Sequence, residues 1–180
     1  MKYMIVSDIH GDAECTAKFL SIFERERCQG LIILGDILYH GPRNDLPSGY
    51  APKRVIEMLN QLKESIIAIK GNCDAEVDEM VLQFPILSDP QFINLNGKRT
   101  VLTHGHKYDF DDIDSKETDL ILHGHTHLLR IESDVSGATV VNPGSVSIPK
   151  GGNANTFAIF DENEITIMDF DMNVILSVKF

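Results

Sequence analysis

Seven side chains in this sequence have the types and spacing to act together on a metal: Asp8, His10, Asp36, Asn72, His104, His125 and His127. They fall in five polar clusters: Asp8-Ile9-His10, Gly35-Asp36, Gly71-Asn72-Cys73-Asp74, His104-Gly105-His106 and Gly124-His125-Thr126-His127. Carboxylate, amide oxygen and imidazole without thiolate suit manganese, iron, zinc or nickel better than a structural zinc site. Seven donors are too many for one tetrahedral ion and suit two neighbouring ones. Asp8 and His10 are two residues apart, as are His125 and His127; on an extended backbone such pairs share a side and could reach one ion. Two divalent ions roughly 3.5–4 Å apart would generate hydroxide near neutral pH, neutralise a phosphoryl group and align attacker with leaving group. Asp36 is the natural carboxylate to bridge them.

Each cluster leaves the end of a short apolar run, at 3–6, 31–34, 66–69, 100–102 and 120–122. Short apolar runs bounded by Gly and Asp predict buried strands. If these strands lie parallel, all five clusters reach one sheet edge, where open α/β sheets bind ligands. Asp12 can cap a helix over about 13–27, with Ala13, Ala17, Leu20 and Phe23 on one face and Gly30 just past its end. Pro52 can open a second, burying Val55, Leu59 and Leu62, and Asp74 can cap a third running through Val77 and Val81. Strand–helix alternation implies right-handed parallel crossovers. The last third changes to short strands at 129–132, 139–141, 156–160, 164–169 and 174–178, joined by tight turns, which predicts antiparallel pairing and a second sheet packed on the first. Loops at 40–50 and 142–153 interrupt the pattern. An α/β fold in a single domain spanning 1–180 is expected from the length.

With 16 basic and 27 acidic residues the formal net charge is −11. That balance favours solubility and disfavours extended nucleic acid, although a small phosphoester held at a local cationic site remains compatible. Cys15, Cys28 and Cys73 form no Cys-x-x-Cys pair or disulfide framework, which fits a reducing cytoplasm. No apolar stretch approaches the roughly 20 residues that span a bilayer, so no membrane association is expected. The apolar C-terminal strands would permit a homo-oligomer.

The ordered set Asp8-x-His10, Gly35-Asp36, Gly71-Asn72-x-Asp74, His104 and Gly124-His125-Thr126-His127 resembles the calcineurin-like metallophosphoesterases over about residues 3–150. His40-Gly41-Pro42-Arg43-Asn44, the Gly71–Asp74 cluster and the segment from Asn142-Pro143-Gly144-Ser145 to Gly152-Asn153 are similar to the small bacterial phosphodiesterases of the YfcE type. The resemblance implies a four-layer αββα sandwich of two mixed sheets flanked by helices. It implies that Asp8, His10, Asp36 and His127 hold one metal and Asp36, Asn72, His104 and His125 the other, with manganese preferred. It also places Asn72 against the substrate phosphate, with Asn72, Asp36 and His104 as the catalytic group. One position departs from the family: the His that usually follows Gly-Asn as proton donor to the leaving oxygen is Cys73, and a thiol of ordinary pKa about 8.5 is a poor donor there. His40 or His106 could take that part.

Around these residues, Arg43 and Asn44 lie in a loop that could fold over the site, where arginine can grip phosphate bidentately. His106 could touch phosphate or orient a ligand. Lys150 and the 144–152 amides are candidate anion contacts, against a purely structural turn. His123 reads as a core or edge histidine, Cys15 and Cys28 as packing or neutral surface thiols, and the acidic run 109–114 as a solvated loop rather than a calcium site. The expected activity is hydrolysis of a small phosphodiester. Phosphomonoester or nucleotide hydrolysis on the same residues, and a catalytically idle interaction scaffold, are the alternatives.

Overall fold

The computed structural model describes residues 1–107, 117–134 and 137–180. Among them the elements run β1 (Tyr3–Val6), α1 (Ala13–Arg25), β2 (Gly30–Ile33), α2 (Pro52–Asn60), β3 (Ile66–Ile69), β4 (Ile86–Leu87), β5 (Gln91–Leu95) and β6 (Lys98–Thr103). They continue with β7 (Leu120–His123), β8 (Arg130–Ser133), β9 (Thr139–Asn142), β10 (Thr156–Asp161), β11 (Glu164–Asp169) and β12 (Val174–Lys179). The strands form a seven-stranded sheet ordered β12-β11-β10-β1-β2-β3-β4 and a five-stranded sheet ordered β5-β6-β7-β9-β8. β1 to β4 run parallel and make one half of the larger sheet, with β10 to β12 antiparallel beyond β1; β6, β7 and β9 run parallel at the centre of the smaller sheet, with β5 and β8 antiparallel at its edges.

The two-residue period of a strand divides the core. Met4 and Val6 of β1 join Phe19, Ile22 and Phe23 of α1 and Val55 and Leu59 of α2, whereas Ile5 turns the other way and joins Leu102, Leu120 and Leu122 of the second sheet. The larger sheet therefore lies between a helical layer and the smaller sheet. A smaller cluster of Val101, Ile121, Ala138 and Val140 covers the outer face of the second sheet. Among the described residues no α-helix lies there, since α1 and α2 both belong to the first face. The acidic run 109–114 lies outside the described residues.

The Asp12 carboxylate accepts from the Cys15 amide at 2.8 Å and caps α1 as its sequence predicts. The helix stops two residues before position 27, because Arg27 takes a left-handed φ of +55° that ends the spiral. The last third does not make a sheet of its own. β10 pairs antiparallel with the free edge of β1 and draws β11 and β12 into the first sheet, while β9 pairs with β7 and β8 with β9 in the second. β4 and β5 were not expected. β4 has only two residues, and β5 alternates exposed Phe92 and Asn94 with half-buried Ile93, a weak apolar signal. Its hairpin signal was nonetheless present: Asn96-Gly97 joins β5 to β6 with both residues at positive φ, as two-residue hairpins require. The third helix is absent. Residues 75–82 form turns around a short 3-10 segment, Asp78–Met80, and Asp74 has other work. No helix among the described residues is long and apolar enough to cross a membrane.

Candidate metal centre

β1, β2 and β3 end at Val6, Ile33 and Ile69, and β6 and β7 end at Thr103 and His123. The polar clusters leave these carboxyl ends, three from one sheet and two from the other. They meet where the two sheets face each other rather than along one sheet edge. The exits of β1 and β2 are laced together: Asp8 N donates to Gly35 O, His10 N to Asp36 O and Gly11 N to Ile37 O, at 3.2, 2.9 and 2.9 Å.

Pairing of Asp8 with His10, and of His125 with His127, does not come from extended backbone. Asp8, His10, Asp36, His125 and His127 all have φ between +49° and +65°, five of the nine described non-glycine residues at positive φ. Each such conformation costs on the order of 1–3 kcal/mol and persists only when its surroundings hold it. Two glycines show how tightly they do. A Cβ on Gly124 would strike Ser7 Oγ and sit 3.0 Å from Asp8 Oδ2, and one on Gly35 would lie 2.7 Å from His104 Nδ1.

The histidines are oriented by backbone carbonyls. Nδ1 of His10 donates to Tyr39 O at 2.8 Å, His104 Nδ1 to Leu34 O at 2.6 Å and His127 Nδ1 to Ile148 O at 2.8 Å. In the neutral rings this leaves Nε2 as a lone-pair donor, the arrangement that metal-bound histidines adopt. These Nε2 atoms converge. His10 and His127 Nε2 are 3.4 Å apart, and Asp8 Oδ1 lies 3.7 and 3.2 Å from them. Asp8 Oδ1 is buried and has no hydrogen-bond partner, while its sister Oδ2 accepts from Ser7 Oγ and the His125 amide. Asp36 Oδ2 stands between the two halves, 3.7 Å from His10 Nε2 and 3.5 Å from His104 Nε2, and Asp36 Oδ1 accepts from the Cys73 amide. Asn72 Oδ1 lies 3.1 Å from His104 Nε2. The His125 ring is 5.1 Å from that of His104.

Lone pairs facing lone pairs repel, so this cluster needs a cation or a proton at its centre. Burial opposes the charge on Asp8, yet the facing His10 and His127 hold its carboxyl well below the usual range. Burial likewise opposes a charge on His104, but the Asp36 hydrogen bond and the Asp8 charge push the imidazole up to about 9. His10 shifts up for the same reasons, from Asp8. His125 shifts down through burial and the nearby His104 charge. Three sets of His, Asp and Cys ligand atoms each lie within 4.8 Å of one another: Asp8, His10, His127; Asp8, Asp36, His104; and His10, Asp36, Cys73. The donor set fits divalent cations. It also brings in the Cys73 sulfur, which the sequence singled out only as a poor proton donor at the position where the family carries a His.

The supporting groups were harder to foresee. Asp74 is no helix cap; its two oxygens accept from the Asp36, Ile37 and Gly71 amides, each at 2.8 Å, and so tie the second and third clusters together. Burial raises its pKa against those three donors. The 142–153 loop supports the site: Ser145 and Ser147 Oγ both donate to Asp8 O at 2.8 Å, and Ile148 supplies the carbonyl for His127. Nothing in an isolated serine signals this role.

Of the remaining candidates, Arg43, Asn44 and Lys150 line the open cleft of about 730 Å³ in front of the centre, with Asn72, Cys73, His125 and His127. Two other concavities, of about 490 and 460 Å³, are smaller and carry no histidine. His106 stands behind His104, ring centroids 5.3 Å apart, with Nδ1 3.6 Å from Asp89 Oδ2. His40 turns away between Tyr39 and Tyr50. His123 is buried, and burial followed by the Arg130 charge lowers its pKa to about 3, as befits a core imidazole. Cys15 and Cys28 are buried thiols, pushed up by burial to about 12 and about 11.

Residues 1–164 match the family model of the calcineurin-like phosphoesterase superfamily domain. The chain is 43% identical over 180 residues to phosphodiesterase YfcE of Escherichia coli strain K12, covering 99% of this chain and 97% of that protein. The solved structure of E. coli YfcE, described as a phosphoesterase, superposes with a TM-score of 0.93 at 42% identity over 99% of both chains. A phosphodiesterase of Methanocaldococcus jannaschii is 27% identical over 152 residues, covering 80% of this chain and 83% of its own.

Proposed function

Since the chain belongs to the calcineurin-like phosphoesterase superfamily, we propose that it hydrolyses a small phosphodiester with two divalent metal ions. Similarity at 43% identity over nearly the whole of both chains to a protein named a phosphodiesterase supports the reaction class. The observation that carries the reading is the convergence of Asp8 Oδ1 and the Nε2 atoms of His10 and His127, whose hydrogens are all committed elsewhere. Asp8, His10, Asp36 and His127 would hold one ion, and Asp36, Asn72, His104 and His125 the second. Manganese is the assigned metal, with zinc, iron and nickel as the alternatives a titration would compare.

When bound, the ions acidify water and neutralise phosphoryl charge. The protein's own groups do the rest. Carbonyls of Tyr39, Leu34 and Ile148 fix the imidazole planes. Asn72 is exposed at the cleft and offers an amide N–H to a phosphoryl oxygen. Arg43 lines the cleft for contact with the substrate, and His106, packed against His104, is the further candidate contact. Cys73 is ill suited to protonate a leaving alkoxide: burial and then the Asp36 charge push its thiol up to about 12. Substrates with good leaving groups are therefore favoured.

The test compares bis(4-nitrophenyl) phosphate with 4-nitrophenyl phosphate on manganese-loaded protein. Faster cleavage of the diester is expected. A strong preference for the monoester would replace this reading with a phosphomonoesterase.

A further inference from the structure

We propose that the cleft recognises a second anionic group beside the scissile phosphodiester, held by Arg43 and Lys150; the inference rests on the two-metal reading above. Asp74 also lines the cleft but gives its oxygens to three backbone amides, so among the groups that would touch the ions two divalent charges less the carboxylates of Asp8 and Asp36 leave two positive charges. A phosphodiester and the attacking hydroxide bring one negative charge each. The metal centre is thus balanced without further cations. Arg43 and Lys150 nevertheless line the same cleft as Asn72, His125 and His127.

Neither side chain is in an ion pair among the described residues, although acids outnumber bases in the chain 27 to 16. They arrive on loops that leave different sheets, one after β2 and one after β9. Both loops are tied to the metal-binding turns. Lys150 N donates to His127 O at 3.1 Å, and Gly41 approaches Cys73 so closely that a Cβ there would lie 3.0 Å from its sulfur. Asn44 holds the turn shut by donating to His40 O at 2.9 Å. Two cations with anchored backbones at the mouth of a charge-balanced centre form a place for a further phosphate or phosphonate. On a protein of net charge −11 such a ligand needs local positive charge to approach at all. The cleft, at about 730 Å³, is of the size that small-molecule sites occupy, roughly 300–1,000 Å³. The substrate class is accordingly a phosphodiester bearing a second phosphate.

Two matched substrates test this: 4-nitrophenyl ethyl phosphate and 4-nitrophenyl 2-phosphonoethyl phosphate, which share a leaving group and differ in one dianion. On the manganese-loaded protein, kcat/KM for the second should be about tenfold higher, mostly through KM, because exposed charge-assisted contacts are of that order. The advantage should shrink as salt rises. In the Arg43→Gln/Lys150→Gln double variant the ratio should fall to about one. Calorimetric titration of the loaded protein with ethyl phosphate and with 2-phosphonoethyl phosphate reads the same preference without turnover. Equal rates and equal affinities in the wild type overturn the second-anion site and leave the phosphodiesterase reading standing. A binding preference lost in the double variant, with neither diester hydrolysed, upholds the site and sinks the reaction. A preference that survives the double substitution overturns the assignment to these two side chains.

Discussion

Loading the centre with metal should expel protons, and the structure sets how strongly. In the metal-free protein His104 titrates at about 9, against an ordinary 6.5. Its Nδ1–H is already given to Leu34 O, so the titrating proton sits on Nε2, the atom that faces Asp36 Oδ2 and Asn72 Oδ1. A cation bonded to Nε2 must displace that proton. Below about 9 each unit of pH therefore changes apparent affinity tenfold. Raising pH from about 6.5 to about 8 should strengthen manganese binding about 30-fold from His104 alone, on the order of 2 kcal/mol. His10, shifted in the same direction, adds to the slope. Calorimetry in buffers of different ionisation enthalpy would count the protons released, and at least one is expected at pH 7. Affinity that does not change over this range, with no proton released, would refute His104 as a ligand. The same shift governs stability without metal. The folded-state pKa is raised, so its stabilisation is fully present below about 6.5 and lost as pH rises through about 9, on the order of 3 kcal/mol. The metal-free protein should melt lower at pH 9 than at pH 6.5.

Asp36→Asn should lower diester turnover by at least about 10³-fold in a protein that still folds, since one oxygen serves both ions and carries their countercharge, and the metal-free variant should melt lower because His104 loses the partner that raises its pKa. Asp74→Ala strands three backbone amides, each costing about 1–3 kcal/mol when unpaired, so a thermal melt should show a large loss and metal titration a weaker site. Cys73→Ser should change the rate on a 4-nitrophenyl diester far less than the roughly 10²–10⁴-fold that losing a general acid costs; a loss of that size with metal content intact would show the thiol takes part. Gly124→Ala, whose methyl would press on Ser7 and Asp8, should weaken manganese binding measured by titration.

All seven metal-ligand candidates could be read from the sequence because Asp, His and Asn rarely gather at the ends of apolar runs for structural reasons. Their grouping was foreseen by a mistaken route. Spacing of two suggested extended backbone, whereas Asp8 and His10 sit in left-handed turns, which residue types other than glycine do not announce. The strands were visible as apolar runs, but their division between sheets was not. Pairing of β10 with β1 joins residues more than 150 positions apart, and no local pattern encodes it. Asp74 illustrates the limit at the site. An acid ahead of a turn reads equally as a helix cap or as an acceptor for neighbouring loops, and only the approach of Asp36 and Ile37 from another strand decides. The hydroxyls of Ser145 and Ser147 reach Asp8 from the far end of the chain and left no local trace.

The most direct measurement is a crystal structure of the manganese-soaked protein with anomalous data collected at the manganese edge. Two peaks roughly 3.5–4 Å apart are expected, one beside Asp8, His10 and His127 and the other beside Asn72, His104 and His125, with an Asp36 oxygen between them. A single peak, or peaks away from these side chains, would contradict the two-metal account.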